Sequence, residues 1–302
     1  MTSKYETDID LENKNSSHAL IVELVGSDKR VLDVATSTEQ VAKVLGERGC
    51  KVTRIEVDPE TARQVEEYCE TVIIGDVESL DLGNELDEES FDVIVLGDML
   101  EHLKDPLQTL RRLKPFLRAA GYVVASVRNM AHGSVRLALI QGKFHHPSLG
   151  LVDDMHLRFF TRESAEQLFK DAGFLITELK STTRAIFDTE KDSKQIPDEV
   201  LRLVQGDPEA STYQFVLTAH RYGEVGTLAK RVWLLSEQLA ERDRTIYELN
   251  RRLRNFEELQ HILDRRTKQL AEKEREVAML AQEVAERNDR IARLTQFGRE
   301  GT

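Results

Sequence analysis

Features of membrane-spanning and disulfide-stabilised proteins are missing from this sequence. No apolar stretch approaches the roughly 18 residues that a membrane-spanning helix needs, and the polar start Met1–Glu6 does not have the pattern of a signal peptide. The chain has 2 cysteines, Cys50 and Cys69, which are too few for a disulfide framework or a cysteine-based metal cluster. We therefore expect a cytoplasmic protein with no membrane span, no bound metal and two reduced cysteines.

An excess of positive charge is also missing. Acidic side chains outnumber basic ones by 54 to 42, and the formal net charge is -12 at pH 7. Such a chain repels phosphate backbones and anionic lipids, so the sequence predicts no nucleic-acid partner and no binding to an anionic membrane. At 302 residues the chain has room for one sizeable α/β domain and a further segment.

Glycine and proline are absent between Gly226 and Gly298, and apolar residues in this segment recur every seven positions. With a single break at Arg242, one row of the repeat consists of Leu228, Leu235, Leu249, Phe256, Leu263, Leu270, Val277, Val284 and Ile291. A second row begins with Val232, Leu239, Ile246 and Leu253 and then becomes polar. Sustained heptads predict a coiled coil over residues 226–296, about 100 Å long. A single charged, solvated helix is the alternative.

Acidic residues end or follow four short apolar segments in the first part of the chain. The segments lie in Val31–Glu39, Ile55–Pro59, Ile74–Val77 and Phe91–Asp98, and helical patterns separate them. This alternation predicts an α/β fold with a doubly wound, mostly parallel sheet. Because such a sheet binds its ligand at the carboxyl ends of its strands, we expect these acids to line one crevice and bind a nucleoside.

The sequence predicts seven strands. They are Val31–Val34, Val52–Val57, Thr71–Ile74, Val93–Leu96, Gly121–Val127, Phe174–Leu179 and Tyr213–Arg221. The last two, joined by a helix-poor link, are expected to add an antiparallel strand at one edge of the sheet. Residues 1–15 are expected to form an N-terminal arm, and residues 16–222 the α/β domain.

The chemistry of three strand ends indicates one cofactor. Asp33 ends the first strand, where a carboxylate can bind an ammonium while the N–H groups of the following turn bind a carboxylate. Glu56 ends the second strand, where an acid accepts both hydroxyls of a ribose. After the third strand, the Asp76 carboxylate and the Val77 N–H can bind the edge of an adenine. Adenosine joined to an amino acid is S-adenosylmethionine, which we expect as the cofactor.

Residues 16–222 resemble the class I S-adenosylmethionine-dependent methyltransferases, and more narrowly those encoded among bacterial surface-glycan and O-antigen genes. The resemblance is carried by Asn15–His18, Val31–Val34, Leu96–Pro106, Asn129–Arg136 and His156–Thr161. It implies a seven-stranded Rossmann-like sheet and methyl transfer to a small-molecule or glycan acceptor, in surface polysaccharide biosynthesis. The implied cofactor-binding residues are Asp33, Ala35, Ser37, Glu56, Asp76, Val77 and Gly97.

The glycine-rich turn of these methyltransferases is altered in this chain. The family would have glycine at two positions where Ala35 and Glu39 stand. Glu39 either forms a capping box with Thr36 at a helix start or lies near the charged end of the ligand. If the altered turn abolishes cofactor binding, the chain is a catalytically inactive scaffold that organises partners through its coiled coil. A nucleotide-sugar or dinucleotide-binding module is a third reading, which the lack of G-x-G-x-x-G spacing disfavours.

Methyl transfer to a hydroxyl requires a base, and several candidates fall in the segments expected to face the acceptor. The catalytic candidates are His102, His132, His156 and Asp98, and Glu101, His145 and His146 lie in the same segments. His102 is the first choice, because it directly follows the fourth strand and a histidine suits proton removal near neutral pH. Arg136 and Arg158 are candidate anchors for an anionic sugar nucleotide or a lipid-linked phosphate.

We predict that residues 226–296 make the protein a homo-oligomer or bind it to a helix of a partner protein. A parallel dimer is the first expectation, because the Leu-rich row fits d positions and Asn288 falls at an a position, where asparagine fixes the register. Light scattering should give a multiple of the monomer mass for the full chain and the monomer mass for a chain ending at Tyr222. If both the full and the shortened chain are monomers and co-purification recovers no partner, the prediction of a coiled coil is wrong.

Overall fold

In the computed structural model of this chain, the described residues are 9–34, 39–143, 151, 155–186 and 196–223, with individual helical residues between Thr227 and Met279. The chain divides into two compact units, Met1–Leu234 and Leu235–Thr302. The first unit contains the sheet and the helices that cover it.

Seven strands form one sheet. They are β1 Arg30–Val34, β2 Lys51–Glu56, β3 Thr71–Ile74, β4 Phe91–Leu96, β5 Leu117–Arg128, β6 Phe174–Thr183 and β7 Thr212–Arg221. Their order is β3-β2-β1-β4-β5-β7-β6. The first five strands run parallel, and β7 lies antiparallel between β5 and β6. The mostly parallel, seven-stranded sheet predicted from the sequence is confirmed, and each predicted strand overlaps an observed one.

Eight α-helices lie in the described part of the chain outside the C-terminal segment. They are α1 Ser17–Val25, α2 Glu39–Glu47, α3 Pro59–Val65, α4 Leu82–Glu85, α5 Pro106–Leu113, α6 Gly133–Ile140, α7 Arg162–Asp171 and α8 Asp198–Gln205, with 3-10 turns at Glu66–Tyr68, Lys114–Phe116 and Pro208–Ser211. Asp58 and Asp105 cap α3 and α5 by accepting a backbone hydrogen bond, and a proline follows each. Thr161 and Ser164 form a capping box that starts α7.

Side chains of the central strands alternate between two apolar cores. On β4, Val93 and Val95 pack in the core that α1 and α2 cover, whereas Ile94 and Leu96 pack in the core that α5 and α7 cover. Both faces of the strand are therefore buried. This is why the central strands read as continuous apolar runs and not as alternating ones.

The prediction of a helix-poor link between β6 and β7 is wrong. The structure has α8 and a 3-10 turn there, and Val204 of α8 packs in a small core with Leu137 of α6 and Ile196. The helix is short, with 8 residues, and it was overlooked although Val200, Leu201 and Val204 lie at helical spacing and form its apolar face.

The C-terminal segment is helical wherever it is described between Thr227 and Met279. The described members of the predicted apolar row are more than half exposed in the single chain: Leu228, Leu235, Leu249, Leu263 and Leu270. The other members of that row lie outside the described residues, so the coiled coil stays a prediction. Among the described helices, none is long and apolar enough to cross a membrane.

Candidate active site

Three buried charged side chains meet at the carboxyl ends of β1 and β2. Arg54 donates from Nη1 to Asp33 Oδ2 and from Nη2 to Glu56 Oε2, each at 3.0 Å. The parallel register sets Asp33 beside Arg54, and the alternation along β2 sets Glu56 on the same face. Asp33 and Arg54 are 0% exposed and Glu56 is 5% exposed. One guanidinium therefore joins the two acids that were predicted to bind the cofactor.

Arg54 is the residue of this cluster that sequence reasoning missed. The available signal was a charged side chain inside the otherwise apolar part of the strand between Val52 and Ile55. A buried charge persists only when it is paired, and acids were already predicted at both neighbouring strand ends. The pairing could have been inferred from these two facts together.

One oxygen of Asp33 remains available to a ligand. Its Oδ1 is buried and has no hydrogen-bond partner among the described residues, which is unfavourable for a carboxylate until a donor arrives. Burial raises the pKa of Asp33, and the charge of Arg54 acts in the opposite direction. One positive and two negative side chains leave an excess negative charge in this cluster. This acceptor oxygen, with the excess negative charge around it, fits the ammonium group of S-adenosylmethionine.

The predicted ribose and adenine residues are held by the turns that follow their strands. Each carboxylate accepts a hydrogen bond from the backbone N–H two residues later, at 3.1 Å for Glu56 and 2.9 Å for Asp76. The carbonyl of the buried Val77 accepts a hydrogen bond from Arg112 at 2.9 Å. Because each carboxylate oxygen has two lone pairs, Glu56 and Asp76 retain acceptor capacity for a nucleoside.

The remaining predicted cofactor residues follow β1 and β4 in the sequence. Ala35 and Ser37 are outside the described residues, and so is Thr36, the expected partner of Glu39 in a capping box. Glu39 is the first residue of α2, where the helix dipole favours a carboxylate. Gly97 directly follows β4.

Asp98 has a strained backbone at the end of β4. Its φ is 51°, a value that residues other than glycine rarely adopt and that occurs often at functional sites. Its Oδ1 accepts hydrogen bonds from Ser126 Oγ on β5 and from Gln214 Nε2 on β7, and Arg128 Nη2 lies 3.6 Å from its Oδ2. Asp98 therefore joins three neighbouring strands, and sequence reasoning missed the polar partners that hold it.

Glu101 is a buried carboxyl group close to Asp98. It is 1% exposed, its Oε1 accepts a hydrogen bond from the Arg128 N–H at 2.6 Å, and its Oε2 has no partner among the described residues. Burial, and then the negative charge of Asp98, raise the pKa of Glu101 to about 8. The group is therefore mostly protonated at neutral pH.

His102 and His156 meet edge to face, with their ring centroids 4.9 Å apart. His102 Nδ1 lies 3.2 Å from the carbonyl oxygen of Met155. The tautomer that donates from Nδ1 to this carbonyl leaves Nε2 unprotonated. His102 is half-buried, whereas His156 is buried. His102 therefore has an oriented ring and a nitrogen suited to accept a proton.

His132, one of the predicted catalytic candidates, has a structural role at the start of α6. It caps α6: its Nδ1 accepts a hydrogen bond from the Ser134 N–H at 3.3 Å, and its Nε2 lies 3.2 Å from the Arg184 carbonyl oxygen. Both ring nitrogens are thus bound to protein groups, and burial lowers the pKa of His132. Histidine is not among the usual capping residues, so its identity alone does not predict this role.

Three further histidines are His18, His145 and His146. His145 and His146 lie outside the described residues. His18 on α1 was not a predicted site residue; burial lowers its pKa, and the negative charge of Asp98 acts in the opposite direction. His18 is therefore within electrostatic reach of the carboxylate that ends β4.

The two predicted phosphate anchors are bound to protein groups. Arg136 Nη1 forms an ion pair with Asp207 Oδ2 at 2.6 Å, and Arg158 Nε donates to the carbonyl of Lys104 at 3.1 Å. In the described part of the chain, no group of three or more histidine, cysteine, aspartate or glutamate side chains could hold a metal ion.

The strand order, with acids at the ends of β1, β2 and β3, is that of a Rossmann-like methyltransferase. A family model described as a methyltransferase domain matches residues 13–179, which is more than half of the chain. The chain belongs to this methyltransferase family, and S-adenosylmethionine is the methyl donor of the family.

Similar proteins include two curated enzymes and one solved structure. Ubiquinone biosynthesis O-methyltransferase of Psychrobacter arcticus is 24% identical over 168 residues, which are 53% of this chain and 64% of that protein. The enzyme of the same name from Xanthomonas campestris is 29% identical over 119 residues, 38% of this chain and 49% of that protein. The chain thus spans about half to two thirds of the length of these relatives.

The solved structure is a Burkholderia thailandensis 1,6-didemethyltoxoflavin-N1-methyltransferase with bound 1,6-didemethyltoxoflavin and S-adenosylhomocysteine. It is 19% identical to this chain and has a TM-score of 0.45. The match covers 71% of this chain and 80% of that chain.

We predict that Glu56→Ala weakens S-adenosylmethionine binding by about ten-fold or more, because a charged hydrogen-bond acceptor contributes about 1.5–3 kcal/mol. Isothermal titration calorimetry measures the change. The matched control is Glu60→Ala, which removes an exposed glutamate from the first turn of α3. An unchanged dissociation constant in a folded Glu56→Ala protein would exclude the ribose-binding role.

We predict that Glu101 makes the folded protein less stable as the pH rises from about 4.5 to about 8. The folded state retains a proton on Glu101 up to a pKa of about 8, whereas the ordinary pKa of a glutamate is 4.5, so unfolding releases this proton in between. Urea unfolding at several pH values should show a smaller loss of stability across this range for Glu101→Gln. Glu85→Gln, which changes an exposed glutamate, should follow the wild type. Parallel wild-type and Glu101→Gln profiles would contradict the prediction.

Proposed function

We propose that this protein transfers a methyl group from S-adenosylmethionine to a hydroxyl group of a small-molecule acceptor. The single observation that carries the proposal is the buried cluster of Asp33, Arg54 and Glu56, in which Asp33 Oδ1 has no hydrogen-bond partner among the described residues. This cluster lies at the carboxyl edge of the sheet, where α/β proteins bind their ligands. Asp76 lies at the end of the next strand, β3.

In this proposal, the residues of the site have different roles in methyl transfer. S-adenosylmethionine supplies an electrophilic methyl group when bound. Asp33 Oδ1 would accept a hydrogen bond from the ammonium, and Glu56 from the ribose hydroxyls. His102 Nε2 would take the proton of the acceptor hydroxyl, while the Met155 carbonyl keeps the ring oriented through Nδ1. Since methyl transfer is an in-line displacement, holding the two reactants in line supplies much of the rate.

The acceptor in this proposal is a sugar or a related precursor of a surface glycan. The sequence segments that resemble glycan-modifying methyltransferases support this choice, among them Asn15–His18 and Asn129–Arg136. We further propose a cytoplasmic location, in keeping with two free cysteines, Cys50 and Cys69. In the same proposal, the apolar rows of residues 226–296 join the protein to a second copy or to a coiled-coil partner.

A phenolic acceptor is the second candidate. The curated relatives carry the name of a ubiquinone biosynthesis O-methyltransferase. In addition, Met155, Leu157 and Phe159 are 68%, 54% and 40% exposed in the segment that contains His156. Apolar side chains beside the candidate base suit an aromatic acceptor better than a sugar. A panel of sugar nucleotides and catechols, incubated with methyl-labelled S-adenosylmethionine, separates the two classes.

We predict that His102→Gln lowers kcat by about 10²–10⁴-fold, the usual contribution of a general base. It should leave the dissociation constant for S-adenosylmethionine unchanged. His220→Gln is the matched control, because His220 pairs with Thr177 and stands opposite Tyr122 at the other end of β5. If His102→Gln retains full kcat, His102 is not the base.

The inactive-scaffold alternative is tested by the same binding measurement. If wild-type protein does not bind S-adenosylmethionine at millimolar concentration and Glu39→Gly restores binding, the altered turn has abolished activity and the scaffold reading is correct. If the wild type binds, Glu39→Gly should tighten binding, because the carboxylate of the ligand no longer competes with Glu39 for N–H donors at the start of α2.

A further inference from the structure

We propose that Arg54 is a positioning residue for the cofactor: it offsets the repulsion between the carboxylates of Asp33 and Glu56 and fixes the direction of each. The inference rests on the proposed function, since it concerns the same cofactor site. It adds to that function a buried residue that touches neither the methyl group nor the acceptor and acts through its two acidic neighbours.

The first argument is geometric. The guanidinium of Arg54 is a planar fork, and its two terminal nitrogens bind different carboxylates, Asp33 through Nη1 and Glu56 through Nη2, at 3.0 Å each. Each acid uses one oxygen for Arg54. The other oxygen of Asp33 has no partner among the described residues, and that of Glu56 accepts the Asp58 N–H. Arg54 therefore orients both acids while leaving acceptor capacity for a ligand, which a single-point ammonium cannot do.

The second argument is electrostatic. Asp33 and Glu56 lie on neighbouring strands and are both buried, so their negative charges repel each other; the charge of Glu56 contributes to raising the pKa of Asp33. Arg54 offsets this repulsion. Without it, burial and the charge of Glu56 would both raise the pKa of Asp33 unopposed, and a protonated acid binds an ammonium poorly.

Cys69 is a further titratable group near this cluster. Burial raises the pKa of its thiol to about 11, with a contribution from the charge of Asp33 that Arg54 opposes. The thiol therefore stays neutral between pH 6 and 8, and proton exchange measured in that range would come from the carboxylates.

The opposite hypothesis is that Arg54 occupies the place of the cofactor ammonium and excludes it. The two hypotheses predict opposite changes when Arg54 is removed. A positioning residue is needed for binding, so its loss weakens binding. A blocking residue competes for Asp33, so its loss tightens binding.

The test is calorimetric titration of the full chain with S-adenosylmethionine and with S-adenosylhomocysteine at pH 6 to 8, in buffers with different ionisation enthalpies. We expect the wild type to bind both ligands with little change across this range and without releasing a proton. Arg54→Met should bind both more weakly, by about ten-fold for each pH unit below the pKa of Asp33 in that variant. It should release the proton of Asp33 on binding and regain affinity as the pH rises.

Two further variants separate positioning from packing. Arg54→Lys retains a buried positive charge but cannot bind both acids as a fork, so an intermediate loss of affinity is expected. Arg48→Met is the matched control, because Arg48 is a partly buried arginine that binds the Val22 carbonyl at 3.4 Å. It should leave affinity and proton exchange as in the wild type.

Each outcome decides the proposal. If the wild type binds neither ligand, the proposed function fails and this inference with it. If the wild type binds and a folded Arg54→Met binds equally well or more tightly, the function survives and the positioning role is wrong. If Arg54→Met does not fold, two other measurements still decide. Unchanged affinity in Arg54→Lys would overturn the proposal, and so would proton release on binding by the wild type at pH 7.

Discussion

A guanidinium buried between two carboxylates is the interaction on which the cofactor edge depends. Removing one partner from a buried ion pair leaves an uncompensated charge and is strongly destabilising. The parallel pairing of β1 with β2 forces the arrangement, because the register that aligns Val34 with Ile55 also sets Asp33 beside Arg54. A sheet with acids at both strand ends therefore requires a cation between them, and Arg54 supplies it from within the strand.

The other half of the site depends on contacts between residues that are distant in sequence. Asp98 is bound by Gln214, which lies 116 residues away on β7. The carbonyl of Glu101 accepts hydrogen bonds from the N–H groups of Leu157 and Arg158 at 2.8 and 2.9 Å. The antiparallel insertion of β7 beside β5 thus fixes Asp98, and the segment around His156 is tied to the end of β4. The cluster of Asp33, Arg54 and Glu56 is formed by residues close in sequence, whereas the surroundings of Asp98 and His156 are assembled by the topology of the sheet.

This difference explains how much of the fold and site could be predicted. The strands were predictable because buried parallel strands are continuous apolar runs, and Asp33, Glu56 and Asp76 were predictable because each follows such a run. Arg54 could have been inferred as the partner of the neighbouring acids, since a buried charge must be paired. Gln214 could not, because a polar residue within a strand does not show which distant residue it contacts. The capping role of His132 likewise depends on packing that appears only in the folded chain, whereas α8 was overlooked although its apolar positions have helical spacing.

In the proposed mode of binding, Glu39 and the cluster of Asp33, Arg54 and Glu56 would act on opposite ends of the methionine tail. Glu39, the first residue of α2, would compete with the ligand carboxylate for N–H donors, and the helix dipole favours a carboxylate there by about 0.3–1 kcal/mol. Asp33 Oδ1 would attract the ligand ammonium, and a hydrogen bond to a charged group contributes about 1.5–3 kcal/mol. The attraction at Asp33 therefore exceeds the competition at Glu39. On this balance we expect cofactor binding that is weakened but not abolished, which favours an active methyltransferase over an inactive scaffold.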